Sequence, residues 1–311
     1  MPVNPALSTA YVAQLEGPAG MARALAALPV AGVELDYRLK AATLKGLLPL
    51  LKSAGLPVVS LHHPVPLPDD LPLEAASGER LSLASPDRAE REAGLAAARR
   101  TLELASDLEA GVVVFHLGSI GELAPLWDEL RRHHQEGMVE GEEAAQFRAE
   151  AVERRAELAG PYLERALTGL DRLMGPAERL GVKVAVEVRY HFHEVPSPKE
   201  IERILSELRG APIGYWHDTG HAEAQERVGF FGHRAMLEYF QDALLGVHLH
   251  DIDGLRDHLP PGAGSLDWAG LAPLLAKAPL KVLEVHPPAI LEQVREAVSV
   301  LHEAKVLSPN K

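Results

Sequence analysis

Asp218 and His221 stand three positions apart across Gly220, at the end of the run Gly214-Tyr215-Trp216-His217-Asp218-Thr219-Gly220-His221, and offer a carboxylate beside an imidazole. A strand that ends in a tight turn can aim both side chains into one cavity, and this donor pair commonly ligates a divalent metal. Similar residues close other strand-like runs: His62, His116, Glu187, His248 with His250, and Glu284. The separations are 31 residues from Glu187 to Asp218, 30 from Asp218 to His248 and 36 from His248 to Glu284, each about one strand-helix unit. Two glutamates, an aspartate and a histidine that converge with no compensating Lys or Arg repel one another unless a cation sits among them. Mn²⁺, Zn²⁺, Co²⁺ and Mg²⁺ all suit such donors.

Eight apolar runs could position these groups: residues 5–10, 32–37, 57–62, 111–118, 182–189, 213–218, 246–251 and 280–286. Several are near-continuous in Val, Leu and Ile, as strands buried on both faces are. Between them lie segments of helical period, such as Ile201, Ile204, Leu205 and Leu208, and Ser197-Pro198-Lys199-Glu200 reads as a capping box with proline in the first turn. Ser85-Pro86-Asp87 opens another helix. Strand and helix alternating eight times predict a parallel sheet closed as an α/β (β/α)8 TIM barrel, one domain over residues 1–311, with a doubly wound open sheet as the alternative. Side chains alternate across a strand, so Val112, Val114 and His116 share a face, as do Ala185 with Glu187 and Val282 with Glu284. If the apolar members fill the barrel, the polar members at the carboxyl end point into its mouth, where barrel enzymes do their chemistry.

Two segments exceed a minimal unit. Residues 64–86, rich in Pro and Leu, predict an ordered excursion near the mouth, and the charged residues 121–181 predict two or more exposed helices after strand 4, serving as a dimer contact or a pocket lid. The runs Arg131 to His134 and Glu140 to Glu143 read as solvated helix faces.

The chain has 31 basic and 44 acidic residues, a formal net charge of −13, fifteen histidines and no cysteine. The charge gives no electrostatic support to a nucleic-acid partner, and the missing thiols exclude disulfides, thiolate catalysis and thiolate metal sites. Met1-Pro2-Val3-Asn4-Pro5 lacks a basic, apolar leader, and no apolar stretch approaches the ~20 residues of a membrane span, so the reading is a soluble, cytoplasmic protein.

The runs Val186-Glu187-Val188-Arg189, Asp218-Thr219-Gly220-His221-Ala222, His248-Leu249-His250-Asp251 and Glu284-Val285-His286-Pro287 resemble the metal-binding strand ends of the xylose-isomerase-like barrel superfamily. That group includes sugar and sugar-phosphate isomerases and epimerases and the endonuclease IV family. In the isomerase and epimerase branch, the resemblance implies one divalent metal on Glu187, Asp218, His248 and Glu284. It also implies an enediolate stabilised by that metal, Glu187 and Glu284 as the acid-base pair, His221 on a substrate oxygen, and Arg189 on a hydroxyl or phosphate. In the endonuclease branch it implies three zinc ions. His62 and His116 match two of the extra ligands, which allows a second metal, and His258 matches a third, but Arg256 stands where the family has aspartate. An isomerase or epimerase of a sugar, sugar phosphate or related polyol ketone therefore ranks first, an enzyme cleaving abasic DNA second, and a barrel that binds without turnover third.

Bland roles compete for several residues. His62 and His116 are as readily hydrogen-bonded rim residues as ligands, and His250, which shares a face with His248, reads as a substrate-binding residue of the pocket or as support for a ligand. His217 alternates away from Asp218 and reads as packing behind the wall. His191 and His193 read as a plain loop, with lining of the substrate entrance as the alternative.

Overall fold

In the computed structural model, which describes residues 4–307, every one of the eight runs contributes a strand to one closed parallel barrel. The strands are β1 (Ala6–Ser8), β2 (Gly32–Leu35), β3 (Val58–His62), β4 (Val112–Phe115), β5 (Lys183–Glu187), β6 (Ile213–Asp218), β7 (Leu244–Leu249) and β8 (Leu280–Leu283). Each pairs with its sequence neighbours, and β8 returns to β1. Met1 to Val3, on which the reading of the amino terminus rests, lie outside the described residues, as do Ser308 to Lys311. Among the described residues no helix is long and apolar enough to cross a membrane.

Alternation along the strands separates two cores. Ala6, Val112, Val114, Ala185, Trp216 and Val282 fill the barrel interior, while Leu7, Val33, Leu61, Val113, Val184, Val186, Tyr215, Val247 and Leu283 face outward into the helical layer. Trp216 is the plug. Its ring occupies the space above Gly246, where an added Cβ would sit 2.2 Å from it, so that close approach requires glycine.

The helix signals hold with small shifts. Ser197 and Glu200 form the capping box of the helix Pro198–Glu207, and Asp87 caps Arg88–Asp107 by accepting from the Ala89 N–H at 2.7 Å. Six strands are shorter than the runs predict, Ile213–Asp218 matches its run, and Leu244–Leu249 lies two residues earlier than expected. Residues beyond the ends of β4 and β7 leave the barrel and form two small antiparallel ribbons, Gly118–Ser119 with Glu194–Val195 and Asp251–Asp253 with Arg256–Leu259.

The segment after β4 folds as Ala124–Gln135 followed by a helix of 39 residues, Glu142–Leu180. That helix is not simply exposed: it buries a stripe including Ala159, Tyr162, Leu163, Ala166, Leu170 and Leu173 against the core. Arg155 on it is buried and donates to the carbonyls of Phe192 and Glu194 and to Glu200, at 2.8–2.9 Å, tying the insertion to the loop after β5.

Candidate metal centre

Glu187 ends β5, Asp218 ends β6, His248 is the penultimate residue of β7 and Glu284 follows β8 directly. In the ladders His248 is level with both Asp218 and Val282, so these strand ends reach the same height in the mouth. One ligand atom from each of the four residues lies within 4.8 Å of the others, and all four are buried. His248 Nδ1 is at the centre, 2.6 Å from Glu187, 2.9 Å from Glu284 and 3.6 Å from Asp218.

Burial would raise these carboxyls, but the imidazoles outweigh it. His248, His116 and His62 hold Glu187 well below the usual carboxylate range; His221 and His250 do so for Asp218, and His248 with His258 for Glu284. Conversely, burial would lower His248, and Glu284, Glu34 and Glu187 raise it instead. Three ionised carboxylates around one imidazole nitrogen create a demand for positive charge. A divalent cation meets it with donors of suitable type and number.

The convergence is not, however, without compensating Arg. Arg189 donates to Glu187 at 2.9 Å and lies 3.0 Å from Glu79 and 3.5 Å from Glu194. The guanidinium expected to meet a substrate hydroxyl or phosphate lines the cavity and faces three carboxylates.

Buried partners orient the four residues. Glu34 on β2, whose other oxygen accepts from the Ser60 hydroxyl at 2.7 Å, takes the His248 Nε2–H at 2.9 Å, which turns Nδ1 toward the carboxylates. His250 Nε2 is 2.9 Å from both Asp218 oxygens, a supporting position. Gly220 makes room for this ring, since a Cβ there would fall 2.2 Å from it. Asp251 accepts from the N–H groups of Ile252, Gly262 and Leu266 and from the Trp268 indole, and so fixes the loop after β7.

His62, His116, His221 and His258 line the same cavity of about 320 Å³. His62 and His116 lie 3.4 and 2.6 Å from one Glu187 oxygen and, with it, could hold a second metal. His221 donates Nδ1–H to the Val188 carbonyl at 3.1 Å, which leaves Nε2 an acceptor. Burial pushes its pKa down to about 4, so the ring is neutral near pH 7. In the loop after β7, Arg256 is exposed, as a departure from an aspartate ligand requires, but Asp257 lines the cavity, 3.2 Å from His258 and 3.9 Å from His221 Nε2. His258, at φ 54°, turns the chain there.

Sequence reasoning passed over Glu34, Glu79 and Asp257. Glu34 carried a signal, since it sits inside an apolar run in which a charge must find a partner. Glu79 and Asp257 sit in loops and carried none. His191, read as plain loop, lies at the cavity edge, 3.1 Å from Glu194. His217 is outside the barrel, hydrogen-bonded to Tyr215 at 2.7 Å and His233 at 2.9 Å, behind the wall as its alternation predicts.

A closed parallel barrel with clustered carboxylate and imidazole donors at its carboxyl-end mouth defines a class of barrel proteins whose donor set is consistent with a divalent metal site. Residues 22–304 match the Xylose isomerase-like TIM barrel family, and the chain belongs to it. A sequence comparison with curated proteins gives no match. Among solved structures, the chain is similar to the apo form of 3-keto-D-glucoside 4-epimerase from E. coli, with a TM-score of 0.67 and 17% identity over 97% of this chain and 99% of that one. A D-tagatose 3-epimerase-like protein aligns with a TM-score of 0.65 and 18% identity over 97% of both chains. D-psicose 3-epimerase from Clostridium cellulolyticum H10, crystallised with D-tagatose, aligns with a TM-score of 0.66 and 13% identity over 97% of this chain and 99% of that one. At these identities the likeness is one of fold.

Proposed function

We propose that the chain, working as one domain over residues 1–311, is a divalent-metal-dependent isomerase or epimerase of a sugar or related polyol ketone. The observation that carries this is the buried group Glu187, Asp218, His248 and Glu284, whose ligand atoms lie within 4.8 Å of one another. A metal held there supplies Lewis acidity toward the carbonyl and hydroxyl oxygens of the substrate. Glu187 and Glu284, at the ends of different strands, are the proton carriers: one, as the carboxylate, removes the hydrogen next to the carbonyl, and the other, having first taken a proton from solvent, delivers it to the carbon of the product. His221 Nε2 accepts a hydrogen bond from a substrate hydroxyl, its ring held by Val188. A cavity of about 320 Å³ suits a small polar molecule and is narrow for a nucleic-acid strand. Two of the similar structures are sugar epimerases, which supports the same class.

The test is proton exchange. Glu284→Gln and Glu187→Gln should each abolish substrate-dependent deuterium uptake from solvent while the protein still folds and binds about one equivalent of metal. A variant that exchanges as fast as the parent would remove that residue from the proton path.

Cleavage of abasic DNA is the second reading, and the placement of Asp257 beside His221 and His258 favours it, because it restores a carboxylate to a site that Arg256 alone would spoil. Metal content separates the two. Near one equivalent supports the isomerase; near three, with nicking of an abasic duplex, supports the nuclease.

A further inference from the structure

Five carboxylates, Glu79, Glu187, Glu194, Asp257 and Glu284, line the cavity, with Asp218 directly behind them. Among the described residues no lysine lines it, and Arg189 is its only arginine. Six negative charges against one from Arg189, one from the protonated His250 beside Asp218 and two from a divalent ion leave a surplus of two. The two terminal nitrogens of Arg189 already face Glu187, Glu79 and Glu194, and only its Nε lacks a partner, so no fork remains for an oxyanion. The start of the helix Thr219–Arg227 offers no anion cradle either, because Asp218 accepts the His221 N–H at 2.7 Å. Two of the imidazoles also face carboxylates: His116 lies between Glu187 and Glu79, and His258 beside Asp257.

Resting on the isomerase or epimerase reading, we propose that the site accepts neutral polyhydroxy ketones and refuses phosphorylated or carboxylated ones, and that Glu79 enforces the refusal. Hydroxyl groups donate to carboxylates, whereas a phosphate brings two more negative charges against them. Glu79, like Glu194 and Asp257, has no place in the metal group. It comes from the excursion at residues 64–86, lies 2.9 Å from His116 and 3.0 Å from Arg189, and is partly exposed at the mouth. The loop sits tight on the site, for a Cβ on Gly78 would fall 2.3 Å from the His116 ring. Removing the Glu79 charge frees one side of Arg189 to meet an anion.

The experiment loads wild type, Glu79→Gln and Glu79→Asp with metal. It follows deuterium uptake into neutral ketohexoses and ketopentoses and into their terminal phosphate esters, with inorganic phosphate as a competing ion. Wild type and Glu79→Asp are expected to favour the neutral member of each pair by at least roughly tenfold in kcat/KM, with no inhibition by phosphate. Glu79→Gln should narrow that ratio roughly tenfold, through KM for the ester. Preference for the esters by wild type, or an unchanged ratio in a folded Glu79→Gln, overturns the proposal and leaves the isomerase reading standing. If Glu79→Gln does not fold, the wild-type ratios and the phosphate competition decide the question. Exchange with no member of the panel overturns the isomerase reading itself.

Discussion

Glu34 on β2 and His248 on β7 meet at 2.9 Å across the barrel interior, although 214 residues separate them in the chain. The carboxylate takes the Nε2 proton, so the proton that a bound metal would displace is the one on Nδ1, facing Glu187 and Glu284. In Glu34→Gln, the new amide can donate to Nε2 and drive the proton to Nδ1, where it blocks a ligand. Metal affinity should fall by roughly 10- to 100-fold in a chelator competition, with the fold intact by circular dichroism. An unchanged affinity would show that Glu34 does not set the tautomer.

Stability should depend on pH and metal together. Burial would lower both His248 and His250, yet the carboxylates raise His248 well above its ordinary value, and Asp218 raises His250 to about 9. A pKa raised in the folded state stabilises fully below the unfolded value of about 6.5, and that contribution is lost as pH climbs through the folded pKa. Chelator-treated protein should therefore melt at lower temperature as pH goes from about 6.5 to about 9. Metal competes with the His248 proton, so the stabilisation on adding metal, and with it the rise in Tm, should grow across the same window, the stabilisation reaching about 2.7 kcal/mol where the metal stands at a hundredfold excess over Kd. Differential scanning with and without chelator checks this, and a metal increment that is largest at the acid end would refute it.

Gly246→Ala should be costly despite the small change. The added methyl would meet the Trp216 ring at 2.2–2.4 Å inside the barrel, and that ring stands edge-on to His248 at 5.1 Å. Overpacking of this kind costs about 1–3 kcal/mol. Denaturant melts should register that loss, tryptophan fluorescence should shift, and metal affinity should drop with it. A melt within about 0.5 kcal/mol of the parent would mean that the plug can move aside.

Arg155→Met should separate the long insertion from the site. It leaves Glu200 buried without its charged partner and frees the Phe192 and Glu194 carbonyls, a loss of about 3–5 kcal/mol by thermal or chemical unfolding. Arg155→Lys should not restore it, because one ammonium cannot span three acceptors as the fork does. Full rescue by lysine would reduce the interaction to simple charge.

The sequence by itself determined the eight strands, since runs of Val, Leu and Ile buried on both faces are legible without knowing their neighbours. It also determined which face each strand-end carboxylate and imidazole takes, because alternation is a local property of the backbone: Ala185 sends Glu187 inward as Val282 sends Glu284. The Ser197 to Glu200 capping box was local in the same sense. What lay beyond it was everything decided by closure. Only the return of β8 to β1 sets Glu34 against His248, and only loop folding brings Glu79 to Arg189 and Asp257 to His221. These contacts span tens to hundreds of residues, and no short-range period encodes them. Arg189 shows the difference most plainly: in sequence it is one cation beside a glutamate, and in the folded barrel it is held by three carboxylates drawn from two separate loops and a strand.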